Sequence, residues 1–297
     1  MARNLTRDFY DKIPEITAVA IAYFITAKIG LDLEAVSGFA TLVWAPTGIA
    51  IASMLVFGRR VWPGIFIAAA AVNFSEGAPL LAASAMGIGN MLEAVVAVYL
   101  LNMFGFRKSL PRMRDVTLFI VLAAGISTLV SASIGVASLW AHGIVAEPAL
   151  SATFQAWWIG DMMGALIVAP FLLTWSRMPA VRKRRSFRLE AAAFAVFFAV
   201  ISLLVFGSIH EIGRLMAFFL FLPMIFGAIR FGMHGTTAAV VAVSFMSIAG
   251  TMMGTGPFVR ESLYESMLSL QVFMGIIAVH TLIIGAAASA KSGGLKK

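Results

Sequence analysis

Two acidic residues stand in segments of the sequence that are otherwise apolar. Asp161 lies in WWIGDMMG, residues 157 to 164, and Glu93 lies three residues after Asn90 in GIGNMLEA. An ionisable side chain at membrane depth costs roughly 2.5–3.5 kcal/mol on insertion scales, so such residues usually face protein or a water-filled cavity. If these segments cross a bilayer, both acids therefore predict a functional polar site.

The composition indicates which solvent surrounds these segments. Of the 297 residues, 61% are hydrophobic and only 12% are charged, whereas an ordinary globular domain is about 25% charged. Apolar runs long enough to cross a bilayer recur along the whole chain. The sequence therefore predicts an all-α, polytopic transmembrane helical bundle without a soluble domain.

The apolar runs give the number of membrane crossings. At about 20 residues per crossing, we predict about ten spans. They cover residues 13–30, 39–57, 61–74, 79–104, 115–140, 150–175, 188–209, 213–230, 234–253 and 264–287. The third span is short, and a hairpin formed by the second and third would leave about eight spans as the alternative.

The distribution of charge predicts the orientation of these spans. With the N-terminus in the cytoplasm, all but three of the 22 basic residues fall on the cytoplasmic side; the exceptions are Lys28, Arg214 and Arg260. This bias satisfies the positive-inside rule and predicts that both termini are cytoplasmic. The basic run RKRRSFR at 182–188 is interpreted as a topology anchor, with contact to anionic lipid as a lesser alternative. No nucleic-acid recognition motif accompanies this basic run.

Polar residues of several spans are expected to converge in the outer half of the bundle. Counting along the helices places Glu93 and Asp161 some 15–20 Å deep, near the midplane. We predict a ligand-binding pocket that is open to the periplasm, walled by tryptophans and floored by the two carboxyl groups. The predicted ligand-binding residues are Trp44, Thr47, Asn73, Asn90, Glu93, Trp157, Trp158 and Asp161. Two alternatives stay open, since tryptophans also form interfacial belts and the acids could simply hydrogen-bond across helices.

Other kinds of chemistry have no support in the sequence. The chain has no cysteine, which excludes thiolate chemistry and cysteine-ligated metals. Its four histidines, at 142, 210, 234 and 280, lack the spacing of metal ligands. The segment GTMMGTGPF, residues 250 to 258, is interpreted as a turn outside the membrane rather than a phosphate-binding loop. No catalytic residue, metal or cofactor is therefore expected.

Several motifs occur in an order that resembles a known family. WAPTGIAIASMLVFGRRVWPGIF is followed by GIGNMLEA, WWIGDMMGALIVAPFLLTW, FGAIRFGMHGT and GTGPF. This order resembles the first membrane-associated sensor domain family and covers about residues 15 to 288. The resemblance implies a bacterial input module of the kind that precedes a histidine kinase, diguanylate cyclase, phosphodiesterase or PAS-type output domain.

These observations lead to one functional hypothesis with two rivals. We expect a cytoplasmic lead-in at 1–12, a sensor domain at 13–288 and a tail at 289–297 that leads to an absent or truncated output domain. The sensor would reside in the bacterial inner membrane, lack enzymatic activity and signal through its last helix. The rivals are a secondary transporter or proton-coupled carrier, and a membrane scaffold. Expected partners are the lipid bilayer and a small ligand or membrane protein, with a homodimer among the alternatives and no nucleic acid.

The predicted orientation is testable because the chain has no native cysteine. A cysteine introduced at Glu147 should react with an impermeant thiol reagent in intact cells, since this loop is predicted to be periplasmic. A cysteine at Arg184 should be labelled only after permeabilisation. The opposite pattern would contradict the orientation.

Overall fold

Helices make up nearly all of the computed structural model, which describes residues 12–33, 41–177, 185–207, 216–217 and 219–294. No strand occurs in these ranges. The helices are α1 (Ile13–Leu33), α2 (Ala45–Phe57), α3 (Trp62–Ser75), α4 (Leu80–Met103), α5 (Met113–Ala141), α6 (Leu150–Trp175), α7 (Arg185–Phe206), α8 (Phe221–Met252) and α9 (Leu263–Gly294). The all-α prediction is therefore confirmed.

Within the described residues, seven helices are long and apolar enough to cross a membrane. The exceptions are α2, with 13 residues, and α3, with 14 residues. At 1.5 Å per residue each extends about 20 Å, which is short of the roughly 30 Å hydrocarbon core. A single 3-10 turn, Arg59–Val61, joins these two short helices. The number of crossings and the orientation of the termini stay predictions.

The start of the second predicted span is wrong. The sequence pattern placed it at 39, but the helix begins at Ala45 with Pro46 in its first turn. Proline has no backbone N–H and fits only this first turn. The backbone N–H of Trp44 instead donates to the carbonyl of Gly160 in α6 at 2.9 Å. The chain before α2 is thus held by another helix.

A break within α8 separates the eighth and ninth predicted spans. Gly232 has φ 63° and ψ −151°, a conformation outside the helical region. Only glycine adopts this backbone conformation readily, because a Cβ atom would clash. The break falls at the predicted boundary between 230 and 234, and the division of α8 into two membrane spans stays a prediction. The turn predicted at 250–258 is also confirmed, since α8 ends at Met252 and Gly254 and Gly256 have positive φ.

Some predicted features lie outside the described residues. They are the lead-in up to residue 11, residues 39–40 at the start of the second span, residues 182–184 of the basic run, residues 208–209 at the end of the seventh span, His210, the start of the eighth span at 213, and the last three residues of the tail.

The chain forms two compact units. Unit 1 comprises residues 1–106 and 118–173, and unit 2 comprises residues 107–117 and 174–297, each within the described ranges. Unit 1 contains α1 to α4, most of α5 and nearly all of α6, and it holds every predicted ligand-binding residue. Unit 2 contains α7, α8 and α9.

In unit 1, α2 and α6 approach each other until their backbones touch. A Cβ atom built on Gly48 would lie 2.4 Å from the Gly164 carbonyl oxygen, and one on Gly164 would lie 1.9 Å from the Trp44 carbonyl oxygen. Gly160 faces the Thr41 carbonyl oxygen in the same way, at 2.4 Å. Small residues allow this approach in membranes, where helix association depends on packing rather than on the hydrophobic effect. The glycines of WAPTG and WWIGDMMG therefore set the distance between these helices.

A further feature of unit 1 is a π-helical stretch in α5, Phe119–Ile126. The N–H of Ser127 donates to the carbonyl of Leu122, five residues earlier, at 3.0 Å. The Ser127 and Thr128 hydroxyls donate to the carbonyls of Ala123 and Ala124, each at 2.7 Å. These hydroxyl groups thus donate to backbone carbonyls in the region where the π-helical hydrogen-bond pattern replaces the α-helical one.

The α2–α6 contact generates a stability prediction. Gly164→Ala should lower the free energy of unfolding by about 1–3 kcal/mol, the usual cost of overpacking a well-packed interior. Its methyl group would meet backbone, which cannot rotate away. The matched control is Gly30→Ala, whose methyl group would lie 3.8 Å from the Trp44 ring. Thermal unfolding in detergent measures the difference, and equal midpoints for the two variants would contradict the proposed constraint.

Candidate functional site

The two acidic side chains meet at a single hydroxyl group. Thr47, in the first turns of α2, places its Oγ1 atom 3.2 Å from Asp161 Oδ1 and 3.3 Å from Glu93 Oε2. A hydroxyl has one proton, so Thr47 donates to only one carboxyl group at a time. The two carboxyl groups lie within about twice this distance of each other, since both contact the same oxygen atom. The prediction that α4 and α6 direct their acids at one another is confirmed.

This carboxyl pair is almost completely buried. Glu93 and Asp161 are each 1% exposed, and Thr47 is 2% exposed. Glu93 Oε1 and Asp161 Oδ2 are buried atoms without a hydrogen-bond partner. The ion pairs found among the described residues include neither acid. Burying carboxyl oxygens without a donor or a counter-charge is costly, so this arrangement calls for a proton, a cation or a polar ligand.

Ser131 of α5 completes the immediate surroundings of the pair. Its side chain lies beside both carboxyl groups. The indole Nε1 of Trp157 donates to Ser131 Oγ at 3.1 Å, which leaves the Ser131 proton free to point at a carboxyl oxygen. The Trp157 ring packs against Gly135, where a Cβ atom would lie 2.6 Å from it. Gly135 therefore creates the space in which Trp157 lies next to Asp161.

A second polar cluster, centred on Asn90, adjoins the pair and is hydrogen-bonded. The Tyr23 hydroxyl donates to Asn90 Oδ1 at 2.9 Å, and the Trp44 indole Nε1 approaches the same oxygen at 3.4 Å. Asn90 Nδ2 donates back to the carbonyl of Met86 at 2.9 Å. The rings of Tyr23 and Trp44 meet edge to face, with centroids 6.5 Å apart. These contacts fix one wall of the site.

Six of the predicted residues thus come together: Trp44, Thr47, Asn90, Glu93, Trp157 and Asp161. The other two have different surroundings. Asn73 is buried, but its Nδ2 donates to the carbonyl of Ala69 within its own helix at 2.8 Å. The Trp158 indole Nε1 donates to the carbonyl of Gly125, in the π-helical stretch, at 3.0 Å. Ligand binding by any of these residues, and the opening to the periplasm, stay predictions.

The sequence interpretation missed two residues of the site, Tyr23 and Ser131. A signal existed for each. Tyr23 is the one tyrosine in the predicted span 13–30, and it belongs to a buried stripe at four-residue spacing with Val19 and Ala27. Ser131 belongs to a stripe of small residues on α5 with Ser127 and Gly135. Both stripes follow the i, i+4 spacing that aligns side chains on one helix face.

The described histidines make no metal site. No group of three or more potential ligands among His, Cys, Asp and Glu occurs within the described residues. His142 and His280 instead bond backbone carbonyls one turn earlier, those of Ser138 and Ile276, each at 2.8 Å. His234 lies 3.1 Å from the carbonyl of Arg177. Each ring is thus engaged with the backbone.

Comparison with known proteins agrees with this architecture. The sequence profile of the MASE1 family matches residues 16–292, which is nearly the whole chain. No curated protein and no solved structure matches it. The matched region includes α2, α4 and α6, which supply the carboxyl pair and its Thr47 bridge. The chain is therefore a membrane protein that belongs to the MASE1 family of membrane-associated sensor domains.

Proposed function

We propose that the chain is the sensory input module of a bacterial inner-membrane signalling protein. A periplasmic or membrane-borne signal would be received at the Glu93–Asp161 pair. The response would pass through α9 to a cytoplasmic output domain, either a histidine kinase or an enzyme of cyclic-di-GMP metabolism. The module itself would have no enzymatic activity and no cofactor.

The observation that carries this proposal is the uncompensated carboxyl pair. Two acids at 1% exposure, each with an unpartnered buried oxygen, reduce the stability of the bundle. Carboxyl groups inside membrane helices are functional by default for this reason. A proton, cation or polar ligand that supplies the absent donors would bind most tightly to one arrangement of α2, α4 and α6. Such differential affinity is what shifts a population between two states.

The length of α9 and its close contact with the break in α8 support transmission through α9. Helix α9 contains 32 residues, about 48 Å at 1.5 Å per residue, which exceeds the thickness of the hydrocarbon core. It packs closely on α8 just after the Gly232 break, where a Cβ atom on Gly285 would lie 2.2 Å from Thr236 Oγ1. A Cβ atom on Gly232 would lie 3.5 Å from Ser289 Oγ. A change in the α8 break would therefore displace the end of α9 that is predicted to be cytoplasmic.

The first functional prediction concerns the acids. We consider a protein in which this chain precedes a diguanylate cyclase. Asp161→Asn and Glu93→Gln should each change the basal cyclase activity by about fivefold or more, which is the effect that typical coupling energies between two sites produce. Both variants keep the shape of the side chain and remove its charge. The measurement is the rate of cyclic-di-GMP formation in membranes, with expression and thermal stability determined in parallel.

The matched control for these variants is Glu147→Gln, because Glu147 is an exposed acid outside the carboxyl pair. Its output should equal that of the unmodified protein. Equal output from all three variants would contradict a sensory role of the pair. Proton-driven uptake of a solute in proteoliposomes, lost in Asp161→Asn, would instead establish the carrier alternative.

The second functional prediction concerns α9. Replacing residues 288–290 with three glycines should uncouple output from input, since each glycine costs about 1 kcal/mol of helix stability relative to alanine. The control is replacement of the same residues by three alanines, which keeps the helix. If the output of the glycine variant still responds to input as in the unmodified protein, α9 does not transmit the signal.

A further inference from the structure

An apolar cavity lies within unit 2. Its volume is about 590 Å³, within the range of sites that bind small molecules. Helix α7 contributes one face and the second half of α8 contributes the other. The lining residues are Trp175, Phe187, Ala191, Phe194, Ala195, Phe198, Ala199, Phe231, His234, Gly235, Ala238, Ala239, Ala242, Phe245 and Met246.

Helices α7 and α8 contact each other at two places. Among the lining residues, Phe187 and Phe194 contact Phe231, with ring centroids 5.6 Å and 5.4 Å apart. Beyond the lining residues, a Cβ atom on Gly250 would lie 2.5 Å from the carbonyl oxygen of Phe206. Between these contacts, small residues of α7 and α8 face each other across the cavity. Small residues normally allow membrane helices to pack closely, so the space between them fits an additional apolar occupant.

The dimensions of the cavity match a single hydrocarbon chain. On α7 the lining extends from Phe187 to Ala199, about 18 Å at 1.5 Å per residue. This length corresponds to roughly one leaflet of a hydrocarbon core that is about 30 Å thick. Ala195 and Phe245 are exposed at the rim, so a lipid chain can enter sideways from the bilayer. A polar solute would find almost no hydrogen-bond partner along these walls.

His234 gives the cavity a polar side chain, in edge-to-face contact with Trp175 at 5.4 Å. Two exposed basic residues are close to the lining residues: the carbonyl of Arg177 contacts His234, and Arg188 follows Phe187 in the sequence. Tryptophan and arginine are the residues that meet lipid headgroups at the membrane interface. A nearby arginine, Arg230, is paired with Glu190 and adds no net charge.

We propose that this cavity binds one acyl chain of a phospholipid whose anionic headgroup is held by Arg177 and Arg188. The apolar walls accommodate the chain, and the two guanidinium groups supply the complementary charge for a phosphodiester. Basic residues near the membrane surface attract anionic lipid. Two such residues favour an anionic over a zwitterionic headgroup by about tenfold or more. This site is independent of the sensory role proposed for the carboxyl pair.

The test is native mass spectrometry of the whole chain, released from nanodiscs that contain equal amounts of phosphatidylglycerol and phosphatidylcholine. The unmodified protein should retain one phospholipid, with phosphatidylglycerol preferred by about tenfold. Ala195→Phe should abolish this retained lipid, because the ring fills the cavity. The matched control is Ala193→Phe, at an exposed position of the same helix that does not line the cavity.

The headgroup is tested separately, with variants that leave the cavity walls unchanged. Arg177→Gln combined with Arg188→Gln should abolish the preference for phosphatidylglycerol, whereas Arg59→Gln, at an exposed position of unit 1, should preserve it. Equal retention by Ala195→Phe and Ala193→Phe would overturn the proposal. So would equal retention of the two phospholipids by the unmodified protein, or a retained molecule that is not a phospholipid.

Discussion

The carboxyl pair exists because two helix backbones touch. Gly48, Gly160 and Gly164 let α2 and α6 approach until a side chain as small as a methyl group would collide with a carbonyl oxygen. Only at this separation does the short side chain of Thr47 reach Asp161 at 3.2 Å while remaining 3.3 Å from Glu93. The same contact turns the N–H of Trp44 toward the Gly160 carbonyl and so fixes where α2 begins. The motifs WAPTG and WWIGDMMG are therefore two halves of one interface.

Two neighbouring polar clusters in unit 1 differ in whether their buried polar atoms have hydrogen-bond partners. Both polar atoms of the Asn90 amide have partners: Tyr23 and Trp44 donate to its oxygen, and its nitrogen donates to the Met86 carbonyl. A satisfied buried network of this kind rigidifies its surroundings. Glu93 and Asp161, by contrast, each keep a buried oxygen without a partner. A rigid wall beside an unsatisfied pair is suited to a switch, since a proton, cation or ligand that satisfies the pair changes the energy of only part of the bundle.

In unit 2, aromatic and alanine side chains line the space between α7 and α8. Phenylalanine contacts connect α7 and α8 at one place, and the Gly250–Phe206 approach connects them at another. The positive φ of Gly232 divides α8 at the point where α9 packs against it.

The amino-acid sequence by itself indicated the membrane environment of the helices, the all-α class, the family and the position of most helices. Length, apolarity and charge asymmetry are properties of contiguous residues, so a single segment displays them. It also indicated the two acids, because a carboxyl group in an apolar span is conspicuous without any partner.

The tertiary structure alone decided which polar groups meet. Tyr23 and Asn90 are 67 residues apart, and Thr47 and Asp161 are 114 apart, so no local pattern relates them. It likewise decided that Trp158 of α6 bonds the π-helical stretch of α5 and that Asn73 bonds a carbonyl of its own helix α3, because the partner of a polar side chain depends on which groups the packed helices bring within its reach.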